Sequence, residues 1–308
     1  MDNQLRPQLA VWLDNYNIKM GRLATAPTPA SVRDGLARLN RNLLTEIPSL
    51  ALIVDAVING RHGPVPLRFY HPAPDEALPV LVYLHGGGHV SGSLAVFDPI
   101  CRKIALAARR LVIGVDYRLA PEHPHPAALH DATAVLAGYG EVLQRLGLNH
   151  VPDLALAGDS AGGALAATLV HRGPLVAIHH LALIYPLLDY TLSRPSMELF
   201  AQGSLLERAR ILWALDHYFQ GGEDRRGASP LFMDIPPSFP RTFIATAGCC
   251  PLRDEARCYG ERLVAHGVEV VCQDYPGTVH AFLHLEKLIA DDCRQLYATL
   301  GRFLRRLP

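Results

Sequence analysis

From residue 50 onward the chain is punctuated by short apolar runs rich in branched and aromatic residues. They fall at 50–58, 65–70, 79–84, 111–115, 154–157, 181–185, 242–246 and 268–272. Their length suits strands. Most are apolar at consecutive positions, as strands are when both faces of a sheet are covered. Between most of the later runs lie longer segments with apolar residues three and four apart, at 98–109, 127–146, 161–172, 253–266 and 284–306. That spacing predicts helices. Strands and helices in alternation predict an α/β chain with a mostly parallel sheet between helical layers.

Two stretches stand outside this rhythm. Residues 1–45 carry helical spacing in Leu5, Leu9, Trp12, Leu13 and Tyr16, break at T-A-P-T-P (25–29), and turn helical again at 31–44. Residues 188–222 insert a helical piece, 205–219, where a simple crossover would be shorter. Both read as additions to an α/β core, and additions near strand ends commonly form lids.

Composition narrows the function classes. A chain of 308 residues with 49% hydrophobic content can bury a large core, removing roughly three-quarters of its unfolded surface from water. Lys+Arg and Asp+Glu both total 29, so nothing attracts a polyanion and no nucleic-acid partner is expected. The start, M-D-N-Q-L-R-P-Q, lacks the basic and apolar regions of a signal peptide, and runs such as 181–185 are far too short to span a membrane. A cytoplasmic protein with no membrane partner is expected. The six cysteines (101, 249, 250, 258, 272, 293) show no C-x-x-C spacing, which favours reduced thiols over a zinc ribbon or a redox pair.

The candidate chemistry begins at Gly158-Asp159-Ser160-Ala161-Gly162, directly after one predicted strand and directly before a predicted helix. A serine on so tight a turn is forced into strained geometry, with its hydroxyl raised over the sheet edge and a helix N-terminus behind it. An ordinary glycine-rich turn is the plainer reading. Upstream, His85-Gly86-Gly87-Gly88 ends the run 79–84. Consecutive glycines leave backbone N–H groups unshielded, and with the N–H of Ala161 they could hold an anionic oxygen. A phosphate-cradling loop competes, but no G-K-[ST] follows. His85 reads as a residue that fixes this loop.

With both motifs present the chain resembles the hormone-sensitive-lipase branch of the α/β-hydrolase superfamily, and within it is most similar to the bacterial acetyl esterases. The resemblance covers about residues 65–306. It includes H-G-G-G at 85–88, D-Y-R-L-A-P-E at 116–122, G-D-S-A-G-G at 158–163, P-L-R-D-E at 251–255 and Y-P-G-T-V-H-A-F at 275–282. It implies an α/β-hydrolase fold over residues 1–308, with a mostly parallel eight-stranded sheet and a helical cap made by 1–45 and 188–222. It also implies a serine carboxylesterase for acetyl to butyryl esters, needing no cofactor and no metal. Ser160 would be the nucleophile and His280 the base, with Gly87, Gly88 and Ala161 holding the oxyanion and Gly86 shaping the loop of that oxyanion hole. The cap is expected to crowd long acyl tails. A homodimer is left open.

One position departs from the family. Its acid opens a D-P-L-x-D-E motif, and this chain reads Cys250-Pro251-Leu252-Arg253-Asp254-Glu255, with His280 following thirty residues after Cys250. Three readings compete. Asp254, one helical turn on, could stand in. The chain could have no working acid and be a weak enzyme, or a non-catalytic small-molecule receptor on the same fold. Cys250 could ionise and pair with His280. The persistence of both Ser160 and His280 favours an enzyme. His89, where the family usually has a bulky aromatic, suggests a more polar pocket, while Asp116, Arg118 and Glu122 read as scaffolding.

Overall fold

Eight strands form one sheet in the computed structural model, which describes residues 4–21, 26–174 and 176–306. Thr25 of the 25–29 break, and residues 1–3 and 22–24 of the expected cap, lie outside the described residues. The strands are β1 (Leu52–Gly60), β2 (Gly63–His71), β3 (Leu78–Leu84), β4 (Leu111–Val115), β5 (His150–Asp159), β6 (His180–Ile184), β7 (Arg241–Cys249) and β8 (Val270–Val279). They lie side by side in the order β1-β2-β4-β3-β5-β6-β7-β8. The β1–β2 and β2–β4 pairs are antiparallel, and every later pair is parallel. The fold implied by the resemblance is the fold observed.

The helices are α1 (Pro7–Gly21), α2 (Pro29–Leu43), α3 (Leu94–Ala108), α4 (Ala127–Arg145), α5 (Ala161–His171), α6 (Pro195–Leu199), α7 (Arg208–Tyr218), α8 (Arg225–Ala228), α9 (Arg253–Ala265) and α10 (Ala290–Arg305). Alternate residues of each central strand enter opposite cores. In β3, Leu81 and Tyr83 join one apolar cluster, with Ile104 of α3 and Leu300 of α10. Val80, Val82 and Leu84 join the other, with Val135 of α4 and Leu263 of α9. Successive side chains leave a strand on opposite faces, and both faces here are covered. That is why these strands are apolar throughout.

Two helix starts differ from the periodicity by four residues or more. α3 begins at Leu94 because Ser93 caps it, its hydroxyl accepting the Val96 N–H. The last helix starts at Ala290 rather than 284, because a single 3-10 turn, Phe282–His284, follows His280 first. The histidine therefore sits in a loop fed directly by β8.

Trp12 of α1, Leu36 of α2 and Ile211 of α7 line one cavity with Ser160 and His280. α2 is fastened at two points. Arg33 donates to the carbonyls of Val90 (2.8 Å) and Ala120 (3.1 Å) and pairs with Glu122 (2.6 Å). Asn40 donates to the Val96 carbonyl, and its Oδ1 lies 2.6 Å from His284 Nδ1. Arg118 pairs with Asp131 and Asp116 accepts the Leu94 N–H, which fits the scaffolding role expected of that motif. Among the described residues no helix is long and apolar enough to cross a membrane, and no group of three or more His, Cys, Asp or Glu is placed to hold a metal ion.

Candidate active site

Ser160 is the hinge between β5 and α5, with φ 52° and ψ −121°. For a residue with a side chain this is a strained backbone. It is locked by hydrogen bonds from its N–H to the Ile184 carbonyl (2.9 Å) and from the Leu187 N–H to its own carbonyl (3.0 Å). The flanking glycines are steric requirements. A Cβ at Gly162 would run into the Leu84 carbonyl, and one at Gly158 into the backbone of Gly162. The turn leaves Ser160 Oγ 2.9 Å from His280 Nε2.

The glycine loop after β3 faces the same point. Gly87 and Gly88 have φ of 123° and 65°, values open to glycine and costly for other residues. The Gly87 carbonyl is held by the N–H groups of Val90 (3.2 Å) and Ser91 (2.9 Å). As the first residue of α5, Ala161 has no carbonyl one turn back for its N–H. Gly86 has the loop-shaping place the sequence suggests for it within the oxyanion motif. Its N–H is committed to Asp159 Oδ1 at 2.7 Å, and the same oxygen accepts the Tyr83 hydroxyl at 2.8 Å. Gly86 therefore ties the loop to the elbow, leaving Gly87, Gly88 and Ala161 as candidate donors. Burial pushes the Asp159 carboxyl up to about 7, against these two hydrogen bonds. Sequence reasoning passed over Asp159 and Tyr83, although an acid inside the G-D-S turn, beside a glycine loop, was a visible signal. His85 fixes the loop as expected, its ring stacked on Tyr117 at 4.3 Å.

The other side of the imidazole meets Cys250. Its Sγ lies 3.3 Å from His280 Nδ1 and accepts the Leu252 N–H at 3.3 Å. The side chain is 1% exposed. Burial pushes the thiol pKa well up, more than the Leu252 N–H lowers it. Burial likewise pushes His280 down to about 3. A neutral thiol therefore faces a neutral ring, which disfavours the thiolate reading. Asp254 is turned elsewhere, with Oδ2 accepting the Ser196 N–H (2.9 Å) and Oδ1 accepting from Arg253 Nε (2.8 Å). The structure does not bring it to His280. Glu255 is fully buried, and its Oε1 accepts the N–H groups of Leu188 (2.6 Å) and Asp189 (3.3 Å).

The chemical difference between a thiol and a carboxylate here concerns tautomers. A carboxylate can only accept, so it holds the proton on Nδ1 and leaves Nε2 free to receive the serine proton. A thiol can also donate to Nδ1, and then the ring proton sits on Nε2 and blocks transfer. Cys250 permits the productive tautomer without enforcing it.

His89 corrects another expectation. It does not make the pocket polar, because it is turned into the body. Its ring is stacked on Tyr218 at 3.7 Å, and Nε2 lies 3.1 Å from the Tyr190 hydroxyl. Ser160, His280, Gly87 and Gly88 open instead onto a largely apolar cavity of about 1060 Å³.

A family model described as alpha/beta hydrolase fold matches residues 81–284, which contain the glycine loop, the elbow, Cys250 and His280. The chain belongs to this family. It is 36% identical over 282 residues to esterase LipI of Mycobacterium tuberculosis, covering 85% of each chain. It is 35% identical over 251 residues to the ethyl acetate hydrolase of Pseudomonas putida, covering 78% of each. Among solved structures, the hyperthermophilic esterase of the archaeon Pyrobaculum calidifontis matches this hydrolase with a TM-score of 0.89 at 32% identity, over 98% of each chain.

Proposed function

We propose that this protein is a serine carboxylesterase acting through an acyl-enzyme on Ser160, with the neutral thiol of Cys250 standing where the family has its acid. The observation that carries the reading is the 2.9 Å approach of Ser160 Oγ to His280 Nε2 from a strained backbone beside the glycine loop. A receptor on the same fold would need neither the contact nor the strain.

Ser160 Oγ attacks the ester carbonyl as its proton passes to His280 Nε2. Gly87, Gly88 and Ala161 donate to the oxygen that becomes negative, and the imidazolium then protonates the departing alcohol. Water repeats the sequence on the acyl-enzyme. Without a carboxylate the imidazolium is less stabilised, and the comparable loss in a serine protease is roughly 10⁴ in kcat, with residual catalysis from the oxyanion donors. A slow but genuine esterase results.

The short-acyl preference is supported by relatives named ethyl acetate hydrolase and, at 35% identity over 251 residues, acetyl esterase of Salmonella. Crowding by the cap does not carry it, since a cavity of about 1060 Å³ holds far more than an acetyl group. In this reading residues 1–45 and 188–222 act as the cap of a single domain. The test is turnover of the para-nitrophenyl esters of acetate, butyrate and octanoate, together with labelling by a fluorophosphonate. The expected result is a higher kcat/KM for acetate and butyrate than for octanoate, with the adduct on Ser160 and none in Ser160→Ala. Wild-type protein that binds esters yet shows neither turnover nor adduct would establish the receptor reading instead.

A further inference from the structure

The cavity at Ser160 carries more positive charge than the reaction there uses. Lys19, Arg38 and Arg210 line it against a single carboxyl, that of Asp159. Asp159 is buried and held by Tyr83 and Gly86. Three carboxylates, on α2, α6 and α7, are paired with arginines other than Arg210, and Glu207 is not. Asp34 pairs with Arg38, Glu198 with Arg208 and Asp216 with Arg225, while Glu207 accepts the Gly203 N–H. Among the described residues, neither Arg210 nor Lys19 forms an ion pair.

Arg210 is the better placed of the two. It is half-buried, whereas Lys19 is exposed. Its guanidinium carbon lies 5.8 Å from the centroid of the Trp213 ring, which holds the charge against an apolar wall. Burial pushes the Tyr16 phenol pKa up; Arg210 pulls it back and Glu207 opposes that pull, so the charges at the start of α7 reach the Trp12–Tyr16 stack. Its distance from the chemistry follows from helix geometry. Ala214, on the same face of α7, sits against the glycine loop, since a Cβ on Gly88 would come within 3.2 Å of its methyl. Arg210 is four residues earlier, ~6 Å along the axis, and helical side chains lean toward the N-terminus, away from the loop.

On the esterase reading above, we infer that the preferred ester carries a carboxylate on its alcohol portion, several bonds from the scissile carbonyl, and that Arg210 recognises it. The alcohol portion is the one concerned because a short acyl group leaves most of the cavity unfilled. The aromatic walls suit an apolar spacer between ester and charge. A guanidinium binds a carboxylate through two parallel N–H donors, and it does so more strongly where water is excluded.

The test compares para-acetoxyphenylpropanoate with its uncharged amide, which has the same leaving group. Wild-type kcat/KM should favour the carboxylate on the order of ten- to a hundredfold at low salt, the range of a hydrogen bond to a charged group. In Arg210→Gln the ratio should fall to near one, and Arg210→Lys should restore part of it. Equal rates for the two esters in wild type would overturn the inference. If neither ester turns over, it is the esterase reading that fails, and calorimetry on the products decides this one. Tighter binding of para-hydroxyphenylpropanoate than of its amide, lost in Arg210→Gln, supports it. Equal binding removes it.

Discussion

Two strand-to-helix turns meet at one imidazole, and they are built differently. The β5–α5 turn delivers Ser160 to Nε2 at 2.9 Å, and the β7–α9 turn delivers Cys250 to Nδ1 at 3.3 Å. The first is a strained backbone whose flanking glycines meet other backbone as soon as a Cβ is added. The second has no residue of positive φ from Cys249 to Arg253, and it offers the Leu252 N–H to whatever side chain occupies position 250. In the nucleophile turn, geometry is enforced by the main chain. In the acid turn the main chain supplies a cradle, and the side chain alone decides the chemistry. The charge at position 250 can therefore change while Ser160, His280 and the glycine loop keep their places.

The sharpest way to break this contrast is to restore the charge. Cys250→Asp should raise kcat on para-nitrophenyl acetate by a large factor, on the order of 10²–10⁴, with little change in KM. The acid acts on the imidazolium formed in the transition state and barely touches the bound ester. An unchanged kcat would show that another group already does this work.

A second measurement is the pH profile. Burial holds His280 at about 3, so its ring stays neutral and able to accept a proton through the usual histidine range. Wild-type kcat/KM should show no acid limb from this ring between about pH 5 and about pH 8. A carboxylate beside the ring favours the charged imidazolium and raises its pKa. In Cys250→Asp the limb should therefore move up towards the ordinary value of about 6.5. The buried Asp159 carboxyl, at about 7, is a second source of a limb there, so only a wild-type limb that survives in Asp159→Asn would place a carboxylate against His280.

The smallest effect is expected on the neighbouring carboxylate. Asp254→Asn should change kcat by less than about threefold, the range of a residue outside the transition-state contacts. Its loss falls on the Arg253 pair, which is worth on the order of 1 kcal/mol by denaturant unfolding, because both partners retain some exposure. A collapse in kcat would return Asp254 to the role of acid.

Much of this is legible in the sequence. Eight apolar runs gave eight strands, because a sheet covered on both faces advertises itself in continuous hydrophobicity. The elbow and the glycine loop were legible because their constraints act on the backbone and so select glycine at particular positions. What the sequence withheld was direction. Asp254 and Cys250 are close along the chain, and only the turn at Pro251–Leu252 sends one to Ser196 and the other to His280. Gly86 looks like its two neighbours as a letter, yet its N–H is taken by Asp159. His89 was misread for the same reason, since its position in the motif says nothing of the Tyr218 ring that packs over it. Arg210 carried no motif at all, and its significance lies in its place on the cavity wall without an ion pair among the described residues.

The fastening of α2 bears on how this molecule opens. Arg33 grips the Val90 carbonyl, two residues beyond the triple glycine, and Asn40 grips His284, four residues beyond His280. Amide groups exchange with solvent in cooperative blocks set by such ties. α2 therefore belongs to the same exchange block as the loops on either side of the reaction centre. In deuterated water its amides should gain label in step with those of residues 86–91 and 280–284. On warming, the pocket should open and activity should be lost as one event.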